Sequence, residues 1–198
     1  MRRGEWQAAR ELLEQGARLC KEAGVASMAM FAEANLGNVL LHLGSIAKAR
    51  HHLLHAALRA SDLGVVSLEL NCERDLARAA IAEGPRDEAR QRLRRMLELA
   101  RADALVSDRL RTLAVYAELL AVEGKADLAA SAWRFALAQP QLDAATRAET
   151  ASRLASQSPS AEPDTAADRA QSLDDWVVQM LALGAGTAPG NGKETPPS

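Results

Sequence analysis

Residues 36–56 read LGNVLLHLGSIAKARHHLLHA, and within them Leu36-Gly37, Gly44, Ala49, Leu53 and Ala56 form a skeleton that returns along the chain. Gly4, Gly44, Gly84 and Gly124 stand forty residues apart. An alanine follows each glycine by five residues (Ala9, Ala49, Ala89, Ala129), and a large apolar residue follows by nine (Leu13, Leu53, Leu93, Trp133). Ser27, Ser67 and Ser107 keep the same interval. A fixed period of roughly 20 to 50 residues marks a repeat array in which each unit covers its neighbour's apolar face.

Working outward from that stretch, apolar residues recur mostly at spacings of three and four, which is one stripe of a helix. The pattern predicts helices over 5–23, 27–43, 45–63, 67–83, 85–101, 107–123, 125–138 and 143–157. Gly24 and Gly44 are expected to end the first two, with Ser45 as an N-cap, Pro85 in a first turn and Pro140 as a stop. The last of the eight is richer in Thr, Ser and Arg, as suits a terminal unit with one wet face. Residues 158–170 turn to Ser, Pro, Ala, Asp and Glu and read as a flexible linker. Residues 171–183 return to helical spacing through Leu173, Trp176, Val177, Met180 and Leu181 behind a capping start at Ser172-Leu173-Asp174-Asp175. That helix is too short to stand alone and is expected to dock on the repeats or on a partner. Glycine and proline then make 184–198 a disordered tail.

With 198 residues, 48% of them apolar, the chain can bury one sizeable core. A net charge of −2 offers no footprint for a phosphate backbone or an anionic membrane. No window is apolar enough to span a bilayer, and the cytoplasm is the default compartment. Cys20 and Cys72, the two cysteines, lie in no metal-ligand spacing and read as small packing residues.

Leu36-Gly37, Gly44, Ala49, Leu53 and Ala56 resemble the tetratricopeptide repeat. Partial echoes follow at Leu76-Ala77, Gly84, Ala89, Leu93 and at Tyr116-Ala117, Gly124, Ala129, Trp133, Ala136. The forty-residue period is similar to the longer-helix variant in the C-terminal arm of large bacterial LuxR-type activators and signalling-ATPase regulators. The ending Ser172-Leu173-Asp174-Asp175-Trp176-Val177-Val178 is similar to the short helix closing many such arms. The resemblance implies an all-α, right-handed α-solenoid of antiparallel helix pairs, about eight helices plus a short C-terminal one. In its register the chain opens on the second helix of a pair, so the first helix is expected to meet an upstream regulator domain or a second copy.

The resemblance also implies that the first helix of each pair lines a concave groove. Helical spacing carries Phe31, Ala34, Asn38 and Leu41, then Asn71, Arg74 and Arg78, then Arg111, Ala114 and Glu118 onto that wall. These residues are candidates to hold a peptide or a small effector, with Arg74 and Arg78 presenting guanidinium groups to a carboxylate. The competing reading is a solvated charged face with internal pairs, Asp75 with Arg78 and Asp108 with Arg111.

His51, His52 and His55 invite a metal reading, but no carboxylate completes a ligand set and their equivalents are mostly solvent-facing types. Arg86, Arg90, Arg92, Arg94 and Arg95 form the densest basic run. The unit from Gly84 to Glu123 nevertheless holds eight arginines against seven acids and lacks interleaved aromatics on that helix. Gly190-Asn191-Gly192-Lys193-Glu194-Thr195 fails as a phosphate loop because Thr187 stands where the first glycine belongs and Glu194 where the hydroxyl belongs. No catalytic constellation stands out, so the expectation is a non-enzymatic module without a cofactor or metal. It would bind protein, peptide or effector as a regulator's arm or as a free-standing scaffold.

Overall fold

The computed structural model describes residues 3–102, 106–157 and 172–182. The predicted linker at 158–170, the tail at 184–198 and the failed phosphate loop lie outside the described residues. Among the described residues the chain is helical throughout: α1 Arg3–Glu22, α2 Ala26–His42, α3 Ile46–Asp62, α4 Val66–Glu83, α5 Arg86–Ala102, α6 Val106–Val122, α7 Ala126–Ala138, α8 Ala144–Gln157 and α9 Leu173–Ala182. No described helix is long and apolar enough to cross a membrane.

The connections explain the antiparallel order. Gly24, Gly44, Gly64, Gly84 and Gly124 all have positive φ, a conformation that costs a glycine little. At Gly44 its N–H bonds to the Leu41 carbonyl and the Ser45 N–H reaches back to Leu40, each at 2.9 Å. The Ser45 carbonyl meanwhile accepts from Ala49 and starts the next helix. One helix thus ends and the next begins within three residues, which forces a reversal. The same bonds recur around Gly24, Gly64 and Gly124, so the chain turns on a beat of twenty, half the repeat seen in the sequence. Ser45 takes the expected N-cap position of α3, without a side-chain capping bond, and Gly4 falls within α1.

From α1 to α8 each helix packs on its sequence neighbours, and α2, α4, α6 and α8 also touch one another in succession. The even helices therefore form the inner, more closely spaced layer of a solenoid-like array, with α1, α3, α5 and α7 outside. One apolar cluster joins α2, α3 and α4 through Met30, Leu36, Leu40, Leu53, Cys72 and Leu76. A second runs from Leu70, Ala77 and Ala80 of α4 through α5, α6 and α7 to Trp176, Val177 and Met180 of α9. The α4 helix feeds both clusters from opposite faces, as an interior member of an array must.

The short C-terminal helix docks on the array. It packs against α6 and α5, with Trp176 tilted against Phe135 at 6.3 Å between ring centroids and Arg109 bonded to Asp174 at 3.1 Å. Its start is the expected box: Ser172 Oγ accepts from the Asp175 N–H at 3.1 Å while Asp175 Oδ2 accepts from the Ser172 N–H at 2.8 Å.

The repeat-packing residues meet as the skeleton requires. Ala49, Leu53, Ala56, Ala89, Leu93, Ala129 and Trp133 are buried, as is Leu36. A Cβ placed on Gly37 would lie 2.6 Å from Leu53 Cγ and 3.3 Å from the Ala49 carbonyl oxygen. In the later units Ala77 and Ala117 take that place, and the Trp133 indole N–H donates to the Ala114 carbonyl at 3.1 Å. In urea unfolding, Gly37→Leu is expected to cost about 1–3 kcal/mol and Leu53→Ala about 2–5 kcal/mol. Gly37→Ala should cost less than leucine, since the single Cβ meets chiefly the Leu53 side chain, which can give way; two neutral results would refute the packing.

Candidate binding groove

The even helices place polar side chains along one concave wall because residues four and seven apart share a helical face. Asn38 and His42 of α2, Asn71, Arg74 and Arg78 of α4, Arg111 of α6, and Asp143, Ala145, Thr146 and Glu149 around α8 line a groove of about 370 Å³. Five sequence-derived candidates thus come together: Asn38, Asn71, Arg74, Arg78 and Arg111. Leu41 borders a smaller adjoining cavity with Ile46, Ala82 and Arg153. Phe31 is exposed but does not line the groove, and Ala34 and Ala114 are buried. Glu118 lies beneath the wall at 6% exposure.

The arginines are not free. Arg78 donates from Nε and Nη2 to Glu118 Oε1 at 3.1 and 2.9 Å, and its Nη2 also meets Glu149 Oε2 at 2.8 Å. Arg153 closes the square, reaching Glu118 Oε2 at 3.2 Å and Glu149 Oε1 at 3.1 Å. Two guanidiniums and two carboxylates thereby tie α4, α6 and α8 together. Arg74 donates to Asp75 Oδ1 at 3.0 Å and to Asn71 Oδ1 at 3.1 Å. Asn38 donates to the other Asp75 oxygen at 2.7 Å, linking α2 to α4. Arg111 holds Asp143 Oδ2 at 2.8 Å and Asp108 Oδ1 at 3.0 Å. The expected Asp108–Arg111 pair is present, whereas Asp75 takes Arg74 in place of Arg78. Arg74 and Arg78 therefore do not stand as open guanidiniums. Each already has a carboxylate of this chain, and the local count is no longer cationic.

Burial sets the protonation of this network and the partners modify it. Burial pushes the Glu118 carboxyl above its ordinary value, with Arg78 and Arg153 pulling the other way. Burial disfavours the Arg78 charge, but Glu118, Glu149 and Asp75 outweigh it and raise its pKa. Burial also opposes ionisation of Asp143, yet the Thr146 N–H and Arg111 hold it well below the usual carboxylate range. His42 is lowered, chiefly by burial; it stacks on Trp6 with ring centroids 4.1 Å apart.

The remaining candidates resolve into structure. His55 Nδ1 lies 2.6 Å from Glu33 Oε2, Lys21 reaches the other oxygen of that carboxylate at 3.0 Å, and His51 and His52 meet edge to face. Among the described residues no group of three His, Cys, Asp or Glu could hold a metal. Cys72 is buried, its thiol pushed up to about 12 by burial and nearby acids. Four arginines of the basic run are engaged: Arg92 by Glu73 at 3.1 Å and Arg95 by Glu69 at 2.9 Å on α4, Arg86 by the Val122 carbonyl at 3.0 Å, and Arg90 by Glu123 after α6 and by Asp87 on α5 itself. Sequence reasoning missed these pairs because their members lie 19 to 36 residues apart. The acids at Glu69, Glu73 and Glu123, each in a helix otherwise apolar on that side, were the available signal. Compared with protein-family models, curated proteins and solved structures, the chain shows no significant match.

Removing one member of the square leaves a buried carboxylate short of its partner. Arg78→Ala is expected to cost about 3–5 kcal/mol, and the paired change Arg78→Met with Glu118→Leu far less. A double-mutant cycle in urea measures the difference. Asp143 has a lowered folded pKa, so its contribution is present above about pH 4 and is lost as pH falls towards the folded value. Asp143→Asn should lower the urea midpoint at neutral pH and flatten the acid limb of the stability profile.

Proposed function

We propose that this chain is a non-catalytic binding module built on tetratricopeptide-like repeats, serving as the sensory or interaction arm of a bacterial transcriptional regulator or signalling ATPase. One observation carries the reading: side chains from α2, α4, α6 and α8 converge on a single groove. Asn38, Asn71 and His42 supply donors and acceptors together, which suits the alternating N–H and C=O groups of an extended polypeptide or a small polar effector. Charge plays the smaller part, since the arginines are engaged within the wall. The same engagement, with a net charge of −2, favours a protein ligand over nucleic acid. A ligand spanning the even helices would shift the array towards the curvature it binds better, and that difference is the only energy available for signalling.

A free-standing scaffold would use the same groove without a regulatory output. An ATPase or helix-turn-helix module elsewhere in the polypeptide separates the two readings. The groove itself is tested by selecting peptides on the immobilised chain from a displayed random library and measuring affinities by calorimetry. Asn71→Ala is expected to weaken the selected peptides roughly 2- to 10-fold, while Lys48→Ala on the outer layer changes nothing. Failure to enrich any sequence, or equal affinities for both variants, sinks the reading.

A further inference from the structure

An interior odd helix is fully covered where it meets the even helix before it. Ala49, Leu53, Ala56 and Ala60 of α3 are no more than 1% exposed. The residues forty earlier, Ala9, Leu13, Gly16 and Cys20 of α1, are only partly buried. Beside them Leu12 and Leu19 stand 70% and 55% exposed. Helical spacing aligns Leu12, Gly16 and Leu19 on one face, so α1 carries an apolar stripe that nothing among the described residues covers.

Gly16 is the second observation. Glycine weakens a helix interior relative to alanine, and a Cβ added at Gly16 would meet no atom within 4 Å. Gly37, by contrast, is required by Leu53. Nothing among the described residues asks for glycine at position 16, whereas close approach of another helix from outside does. The third observation is charge. Glu11 and Arg18 edge the stripe and are exposed, apart from the pairs that engage Arg10 with Glu14 and Lys21 with Glu33.

We infer that this face binds a second copy of the chain, the two α1 helices running antiparallel across a twofold axis between Gln15 and Gly16. Leu12 and Leu19 lie four and three residues either side of Gly16, so an antiparallel pair sets Leu12 of each against Leu19 of the other. The same operation brings Glu11 of each towards Arg18 of the other. In a parallel pair the edge that carries Glu11 and Arg18 would fall on opposite sides of the interface, leaving the two charges of each helix without this complement. A twofold axis makes one patch its own complement, so a single surface suffices. The inference is independent of the groove, which lies on the even helices.

Sedimentation velocity on the full chain over a concentration series tests it. The expected result is a rise from one chain mass to two. Leu12→Glu with Leu19→Glu should hold the protein at one chain mass with unchanged helical circular dichroism. Glu11→Arg alone and Arg18→Glu alone should each weaken association by roughly 3- to 10-fold, and the two together should restore it. A single chain mass at every concentration overturns the proposal and leaves the face to a different partner. A dimer indifferent to the leucine changes, or not restored by the double reversal, overturns it equally.

Discussion

A helix buried on two opposite sides cannot complete its own core, and every other feature of this protein depends on that constraint. The α4 helix supplies Leu68, Cys72 and Leu76 to one apolar cluster and Leu70, Ala77 and Ala80 to another. Such a helix is stable only when flanked before and after, so the chain must reverse at short, regular intervals. Left-handed glycines provide the reversal at almost no steric cost. The small residues at Gly37, Ala77 and Ala117 then let each inner helix approach the large residue of the outer helix that follows it.

The inner layer adds a second, electrostatic order. Arg78 and Glu118 are forty residues apart and Asn38 and Asp75 thirty-seven, while Arg50 and Glu88, thirty-eight apart, do the same between outer helices. Polar contacts thus recur at about one repeat, on the same faces that bury apolar groups at their edges. Partly buried guanidinium–carboxylate pairs are costly to break and add little net stability over apolar substitutes. Their effect is to hold the register of successive helices and to leave the wall of the groove polar yet nearly neutral.

The two ends of the array differ. At one end α9 covers part of α5 and α6, burying Trp176 beside Phe135 and sealing apolar surface that would otherwise face water. At the other, α1 leaves Leu12 and Leu19 open. An array of this kind grows by adding units, so each exposed end is a place where something further attaches unless a polar face or a capping helix intervenes.

The local sequence was enough to establish the helices, their antiparallel order, the forty-residue unit and the packing roles of Gly37, Leu53 and Trp133. These follow from periodicity and turn chemistry within a few residues. Register determines which residues share a face within each helix; that the faces bearing Asn38, Asn71, Arg74, Arg78 and Arg111 meet on one groove was implied only by the repeat resemblance, and Phe31, Ala34, Ala114 and Glu118, expected beside them, do not line it. What each guanidinium touches was settled only by the tertiary structure. Asp75 is close to Arg78 in sequence yet bonds Arg74 and Asn38, while Arg78 turns to Glu118 and Glu149, two and four helices further along the chain. The arginines of α5 likewise looked like an exposed basic run until α4 and α6 brought carboxylates to them. Charge pairing depends on distances of a few ångströms between helices, and the superposition of curved layers that sets those distances has no signature within any single helix.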